Sequence, residues 1–224
     1  MRACNGQNKD TRALLLRHAE ELFLAHGFEG VSIRQITEAS GANVAAVNYH
    51  FSGKTNLYRE VLGQRLEGIT LEKLALLKDL YEQQPAATIE QILHSYINSY
   101  FDAHFSSPDS DRLLQIIYRE MAPDAIAGDL VAERLVIPIN RAFQKIIKKT
   151  CPELSDDHIS YCISSITGQV LHFIRAREVL KGIRTPEQNQ TFIEDTVQHI
   201  TQFSLRGIGS QDHAQNYSYR LDRT

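Results

Sequence analysis

The densest group of side chains able to meet a polar partner is Asn48, Tyr49, His50 and Lys54, inside the run AVNYHFSGKTNLY. An amide, a phenol, an imidazole and an ammonium group supply the donors and acceptors that base edges and phosphate oxygens require. Asparagine can pair bidentately with adenine, and small residues such as Ala45 and Ala46 let a helix approach base edges or touch a thymine methyl. Tyr49, His50 and Lys54 suit phosphate oxygens, which fix register without reading sequence. No nucleophile–base constellation, HExxH or glycine-rich phosphate loop accompanies them. The chemistry on offer is therefore binding, not catalysis.

Two short helices must position these groups. Ser32 stands three residues before Gln35, a capping-box spacing that starts a helix over Ile33–Ala39 with Ile33, Ile36 and Ala39 on one face. Gly41 permits the left-handed turn that ends it, and Asn43 caps a second helix beginning at Val44. At about 100° per residue, Val44, Val47 and Phe51 face the domain, while Ala45, Ala46 and Tyr49 point away, flanked by Asn48 and His50. Two short helices across a tight turn form a helix-turn-helix, whose second helix enters the major groove. The alternative is an ordinary helical hairpin of an α-protein. The candidate DNA contacts are Ser32, Asn43, Ala45, Ala46, Asn48, Tyr49, His50 and Lys54.

The run AVNYHFSGKTNLY resembles the signature of the TetR family, in which an aromatic–His–Phe triplet precedes a Lys and a Leu that open a long helix. Upstream, TRALLLRHAEELFLAHGFEGVSIRQITEASG is similar to that family's first two helices. The resemblance covers roughly residues 10–60. It implies a dimeric transcriptional regulator with a helical effector-binding half. Many members carry Tyr where this chain has Asn48, so the family's operator preferences transfer poorly. Further on, REMAPDAIAGDLVAERLVIPI is similar to the C-terminal domain of the CecR-type branch.

Composition agrees only in part. The chain has 224 residues and 42% hydrophobic content, ample for a core, with a net charge of −3. Residues 1–60 hold seven Lys/Arg and six Asp/Glu, giving +1, and the remainder gives −4. Arg2, Lys9 and Arg12 form a candidate N-terminal arm toward phosphate, or simply a solvated end. No apolar run is long enough to span a membrane and the start lacks a leader pattern, so a cytoplasmic location is expected. Cys4, Cys151 and Cys162 are scattered, which fits a reducing compartment. Cys162 lies on an apolar helix face and reads as core. His94, His104 and His172 lack ligand spacing, so no metal and no cofactor is expected.

The remaining periodicity is helical throughout. The expected fold is all-α: an N-terminal three-helix helix-turn-helix domain over residues 1–56, with a flexible arm at 1–10, and a bundle of about six helices over 57–208. A disordered tail at 209–224 follows. Predicted boundaries are a first helix Thr11–His26, a long helix Thr55–Tyr81 broken by Pro85, and a helix opened by a Thr88–Gln91 capping box. Next come a loop SSPDSD, a helix Arg112–Met121, and a helix Asp124–Thr150 kinked or split at Pro138. A helix then starts at Ser155, and a last one at the Thr185-Pro186 signal.

The helix after Ser155 has two stripes. Ile159, Ile163, Ile166, Val170 and Phe173 read as core. Tyr161, Ser165, Gly168, His172, Arg175 and Val179 read as a second face, either solvated or packed on another helix. The family resemblance implies that the last two helices of each subunit pair, making Tyr161, Ser165, Gly168 and His172 homodimer contacts. It also implies a small-molecule effector, for which Tyr96, Tyr100, Tyr118, Phe143 and Asn140 are candidate contacts, the rings otherwise being core. Arg119 and Glu120 read either as polar contacts to the effector or, more readily, as ordinary surface charges. The expected partners are thus operator DNA, an effector and a second copy, without a membrane. Three functions compete: a ligand-released repressor, an architectural or division-linked DNA binder with no metabolite, and an enzyme in the helical half, which no motif supports.

Overall fold

The computed structural model describes residues 3–82, 87–105 and 108–209, all helical or in short connections, with no strand among them. The all-α expectation holds. The helices are α1 (Ala3–His26), α2 (Ile33–Ser40), α3 (Val44–Phe51), α4 (Lys54–Glu82), α5 (Ile89–Phe105) and α6 (Pro108–Glu120). They continue with α7 (Gly128–Val131), a π-helical turn (Ala132–Val136), α8 (Ile137–Thr150), α9 (Asp156–Gly182), α10 (Pro186–Gln190) and α11 (Phe192–Gly209). Pro85, Arg2 and nearly all of the tail at 209–224 lie outside the described residues, as do the side chains of Cys4, Lys9 and His104.

The chain divides into two compact units, Met1–Leu74 with Ala103–Ile139, and Ala75–Asp102 with Asn140–Thr224. In the first, Leu15, Ala19 and Phe23 of α1 meet Ile36, Val47, Leu57 and Leu66 in one apolar cluster. Leu113, Ile116, Ile117, Ala127 and Val131, from far along the sequence, complete it. Phe23 and Phe28 both contact the Tyr58 ring edge-on, at 5.1 and 5.0 Å between centroids. Gly27 ends α1 at φ +71°, and a Cβ there would come within 2.8 Å of the Arg119 guanidinium. The left-handed φ is what favours glycine there, since the Arg119 head is the end of a flexible side chain and can move aside.

Helix α1 begins at Ala3, not Thr11, so residues 3–10 of the expected flexible arm are helical, and three further boundaries differ from the sequence expectation. The run PDSD is the first turn of α6, not loop: Pro108 opens the helix, and Asp109 and Asp111 complement its N-terminal dipole. At Pro138 the expected break takes the form of the short α7 and the π-helical turn before α8. Proline has no N–H for the carbonyl four residues back, Arg134. Thr70 Oγ1 donates to that carbonyl at 2.5 Å, so the orphaned acceptor is satisfied from α4. The last helix is split at Thr191. Thr185 caps α10 as expected, forming a capping box with Gln188, but Thr191 Oγ1 donates to Asp195 Oδ2 at 2.9 Å and starts a second helix.

In the second unit, Ile92, Tyr96, Ile97, Phe101, Phe143, Ile146 and Ile163 are buried. Ser155 caps α9 by accepting from His158 N at 3.2 Å. Its core stripe is Ile159, Ile163, Ile166, Val170 and Ile174, with Phe173 only half-buried. Lys149 Nζ donates to Tyr81 O at 2.7 Å, tying α8 to the end of α4.

Candidate nucleic-acid interface

Helix α3 is only eight residues long, so its ends decide its direction. Upstream, Gln35 N donates to Ser32 Oγ at 3.2 Å and Ser32 N donates to Gln35 Oε1 at 2.8 Å, the capping box read from spacing. Gly41 takes φ +66°, and its neighbour Ala42 N–H donates to Thr37 O. Asn43 Oδ1 accepts from Ala46 N at 2.8 Å, capping α3. At the far end Ser52 is left-handed, φ 58°, and its N–H donates to Asn48 O at 3.0 Å. The side chains of Ser32 and Asn43 are thus spent largely on caps, which position α3 as much as they meet a partner.

Val47 and Phe51 anchor the helix, both buried. Val44 does not join them: it is 48% exposed. A first-turn side chain leans toward the helix N-terminus and projects beyond the element that covers the next turn. Ala46 departs in the other direction, half-buried against the core cluster. Likewise Ala39 of α2 is exposed and Thr37 is buried in its place. The outward surface is therefore Asn43, Val44, Ala45, Asn48 and Tyr49, the last 75% exposed.

The basic and aromatic rim is partly pre-ordered. His50 stacks edge-on against Tyr49 at 5.0 Å between centroids. Lys54 Nζ sits 4.0 Å from the Phe28 ring centre, a cation–π contact that holds its head beside the turn. Arg12 lies over Phe51 at 5.2 Å and pairs with Glu60, so its charge is already engaged.

A second set of contacts fixes the start of α4, immediately after α3. Tyr58 donates to Glu120 Oε1 at 2.8 Å, and Glu120 Oε2 accepts from Ala127 N at 2.7 Å. Glu120 is buried, not the surface charge expected from its neighbours. Arg59 grips Asp129 with two hydrogen bonds at 2.5 and 2.7 Å and donates to Ile126 O at 2.7 Å. Burial first, and then Glu120, push the Tyr58 phenol well above its ordinary pKa. The Arg59 hydrogen bonds lower the Asp129 carboxyl to about 2. No sequence signal joins positions more than sixty residues apart.

The second unit holds the other candidates. Tyr96 and Phe143 are buried with ring centroids 4.6 Å apart, and Tyr96 and Tyr100 hydroxyls lie 2.8 Å apart. Burial is the first cause raising both phenols, and Thr167 is a hydrogen-bond partner to each. Asn140 is half-buried there. Tyr118 is not with them: it belongs to the first unit and is exposed. On α9, Tyr161, Ser165, Gly168, His172, Arg175 and Val179 are all exposed. Cys162 is half-buried, its Sγ 3.6 Å from His158 Nε2, and burial raises its thiol. The described residues contain no cluster of three His, Cys, Asp or Glu placed for a metal ion, and no helix long and apolar enough to cross a membrane.

Residues 15–61 match the family model for bacterial regulatory proteins of the tetR family, and residues 89–208 match the C-terminal domain of the HTH-type transcriptional dual regulator CecR. The probable HTH-type transcriptional regulator YttP of Bacillus subtilis is 28% identical over 62% of this chain and 64% of its own length. The match thus spans a little under two thirds of that relative. The HTH-type transcriptional regulator RutR of Escherichia coli (strain K12) is 26% identical over 87% of this chain and 88% of its own. Among solved structures, FadR of Bacillus subtilis in complex with stearoyl-CoA superposes with a TM-score of 0.63 at 11% identity, covering 87% of this chain and 98% of that one. That likeness concerns the fold. Taken with the capped helix-turn-helix and its exposed face, the two matching segments settle the lineage: this chain belongs to the TetR family of helix-turn-helix transcriptional regulators, with a C-terminal half of the CecR type.

Proposed function

We propose that the protein is a homodimeric repressor that seats α3 in the major groove of a near-palindromic operator and is released by a small apolar or amphipathic molecule. The observation that carries the DNA half is the surface of α3: small and polar side chains outward, two buried anchors inward, and a cap at each end. Asn48 reads a base, while Tyr49, His50 and Lys54 meet phosphate. Residues 1–56 serve as the DNA-binding part, and residues 57–208 bind the effector and the second copy. The exposed α9 stripe is the dimer face, and two copies of α3 about 34 Å apart read two half-sites. The protein works by binding in the cytoplasm, not by turnover.

The hydroxyls of Tyr96, Tyr100 and Thr167 beside the Phe143 ring supply polar anchors in apolar surroundings, the pattern of a small-molecule site. FadR, a protein of the same fold, was crystallised with an acyl-CoA, which supports an amphipathic effector. Release requires that the effector prefer one arrangement of the protein, because equal affinity for both shifts nothing.

The test is footprinting with the full-length protein on DNA flanking its own coding region. The expected result is two protected half-sites about one helical turn apart. Uniform, salt-sensitive coverage without a protected site would overturn the reading.

A further inference from the structure

The geometry points to Val44 as a base-reading residue, one that makes methyl contact with a thymine beside the adenine met by Asn48. This rests on the proposal that α3 enters the major groove. Val44 is the first residue of α3 and is 48% exposed, whereas Val47 and Phe51 on the same helix are buried. The packing stripe therefore starts one turn later than the apolar pattern suggests. Ala45 beside it is exposed too, so the leading end of α3 presents a continuous methyl surface.

Three features suit that surface to a thymine. Valine is stiff in a helix, with one dominant χ1 rotamer, so its two methyls are held in place without further ordering. The preceding Asn43 cannot compete for the same ground, because its Oδ1 is held by Ala46 N at 2.8 Å. Asn48 is four residues on, and residues so spaced on a helix have neighbouring Cβ atoms, about 5–6 Å apart. That step spans between one and two of the rises of about 3.4 Å that separate bases along a strand, within reach of the next base pair. Asn48 on an adenine then places Val44 on a neighbouring base pair, and the one major-groove feature that welcomes an alkyl group is the thymine C5 methyl. Together the two side chains select adjacent A·T pairs.

The full-length protein is first used to select bound duplexes from a random pool. Each thymine of the selected half-site is then replaced singly by uracil, which removes only the methyl group. Affinities are measured for the wild type, Val44→Ala and Asn48→Ala. For the wild type, one replacement should weaken binding about fourfold, the value of one buried methyl-sized group. In Val44→Ala that loss should vanish, while the salt dependence of binding stays unchanged because no phosphate contact is removed. In Asn48→Ala the uracil effect should persist while preference at the adjoining adenine relaxes. An unchanged melting temperature for Val44→Ala, expected of an exposed position, ties the effect to recognition. If wild type and Val44→Ala lose equally at every uracil, the Val44 role is overturned and α3 still reads DNA. If the wild type selects no sequence at all, the DNA-reading assignment itself falls.

Discussion

The two units satisfy their polar groups in different ways. The first is closed by charge: buried Glu120 bridges Tyr58 and Ala127 N, and Arg59 grips Asp129 and the Ile126 carbonyl. In the second, a buried polar contact joins neutral hydroxyls, those of Tyr96 and Tyr100, and charged groups such as Lys149, which donates to the Tyr81 carbonyl, pair at the surface. Tyr161, Val179, Ile183 and Phe203 are each at least 60% exposed. A buried charge tolerates little displacement, because an uncompensated carboxylate is costly, whereas hydroxyls exchange partners readily. The DNA-reading side is therefore built to hold one geometry. Among its described residues the second unit has no buried carboxylate of that kind.

The largest effect is expected from Gly168→Arg. A Cβ at Gly168 meets nothing within 4 Å, so the subunit itself has room for the change. If α9 is the dimer face, sedimentation should show monomers, and operator binding should be abolished. A fully dimeric variant would move the interface elsewhere.

Glu120→Ala comes next. It strands the Tyr58 hydroxyl and Ala127 N–H and should cost roughly 3–5 kcal/mol of stability, read by chemical denaturation. DNA affinity should fall along with it, since both contacts brace the start of α4. A loss below about 1 kcal/mol would show that the first unit does not depend on its charged contacts.

Asn48→Ala should cost roughly 1–3 kcal/mol on the selected site and relax one base pair, with little change on random DNA. Equal losses on both would make Asn48 a backbone contact. Tyr100→Phe should cost about 1 kcal/mol of stability, as one neutral hydrogen bond does, and leave effector-free DNA binding intact. If the hydroxyl cluster anchors the effector, its release of DNA should be blunted in the same variant.

The smallest effect is in acid. Asp129 has its carboxyl lowered to about 2 by Arg59, so it binds protons less readily folded than unfolded. Its contribution is present above about pH 4 and is lost as the pH falls toward 2. Stability measured against pH for wild type and Asp129→Asn should converge across that window. Parallel curves would mean that the exposed pair contributes nothing.

What was legible in the sequence was local. Ser32, Gln35, Gly41 and Asn43 announce the turn between α2 and α3 because each acts on backbone a few residues away. Thr88 with Gln91 and Thr185 with Gln188 did the same for α5 and α10. The outward placement of Asn48 and Tyr49 followed from helical period alone. Val44 and Ala46 did not, since period says which face a residue is on but not where the covering element stops. Pro138 announced a break, yet the partner of the freed Arg134 carbonyl is Thr70, on another helix. Glu120 looked solvated because its two partners are remote in sequence or hidden in a turn.

The first unit is made of two stretches of chain, Met1–Leu74 and Ala103–Ile139, and its apolar cluster draws on both. During synthesis the amino-terminal stretch therefore leaves the ribosome well before the residues that complete its core. Leu113, Ile116, Ile117 and Val131 must arrive before Phe23, Tyr58 and Leu66 are sheltered, and contacts of such long range slow the final closure. The same arrangement limits what can be grafted. A hybrid regulator that borrows only the first 60 or so residues takes the recognition helix without the floor on which it rests, and a workable exchange has to carry residues 103–139 as well.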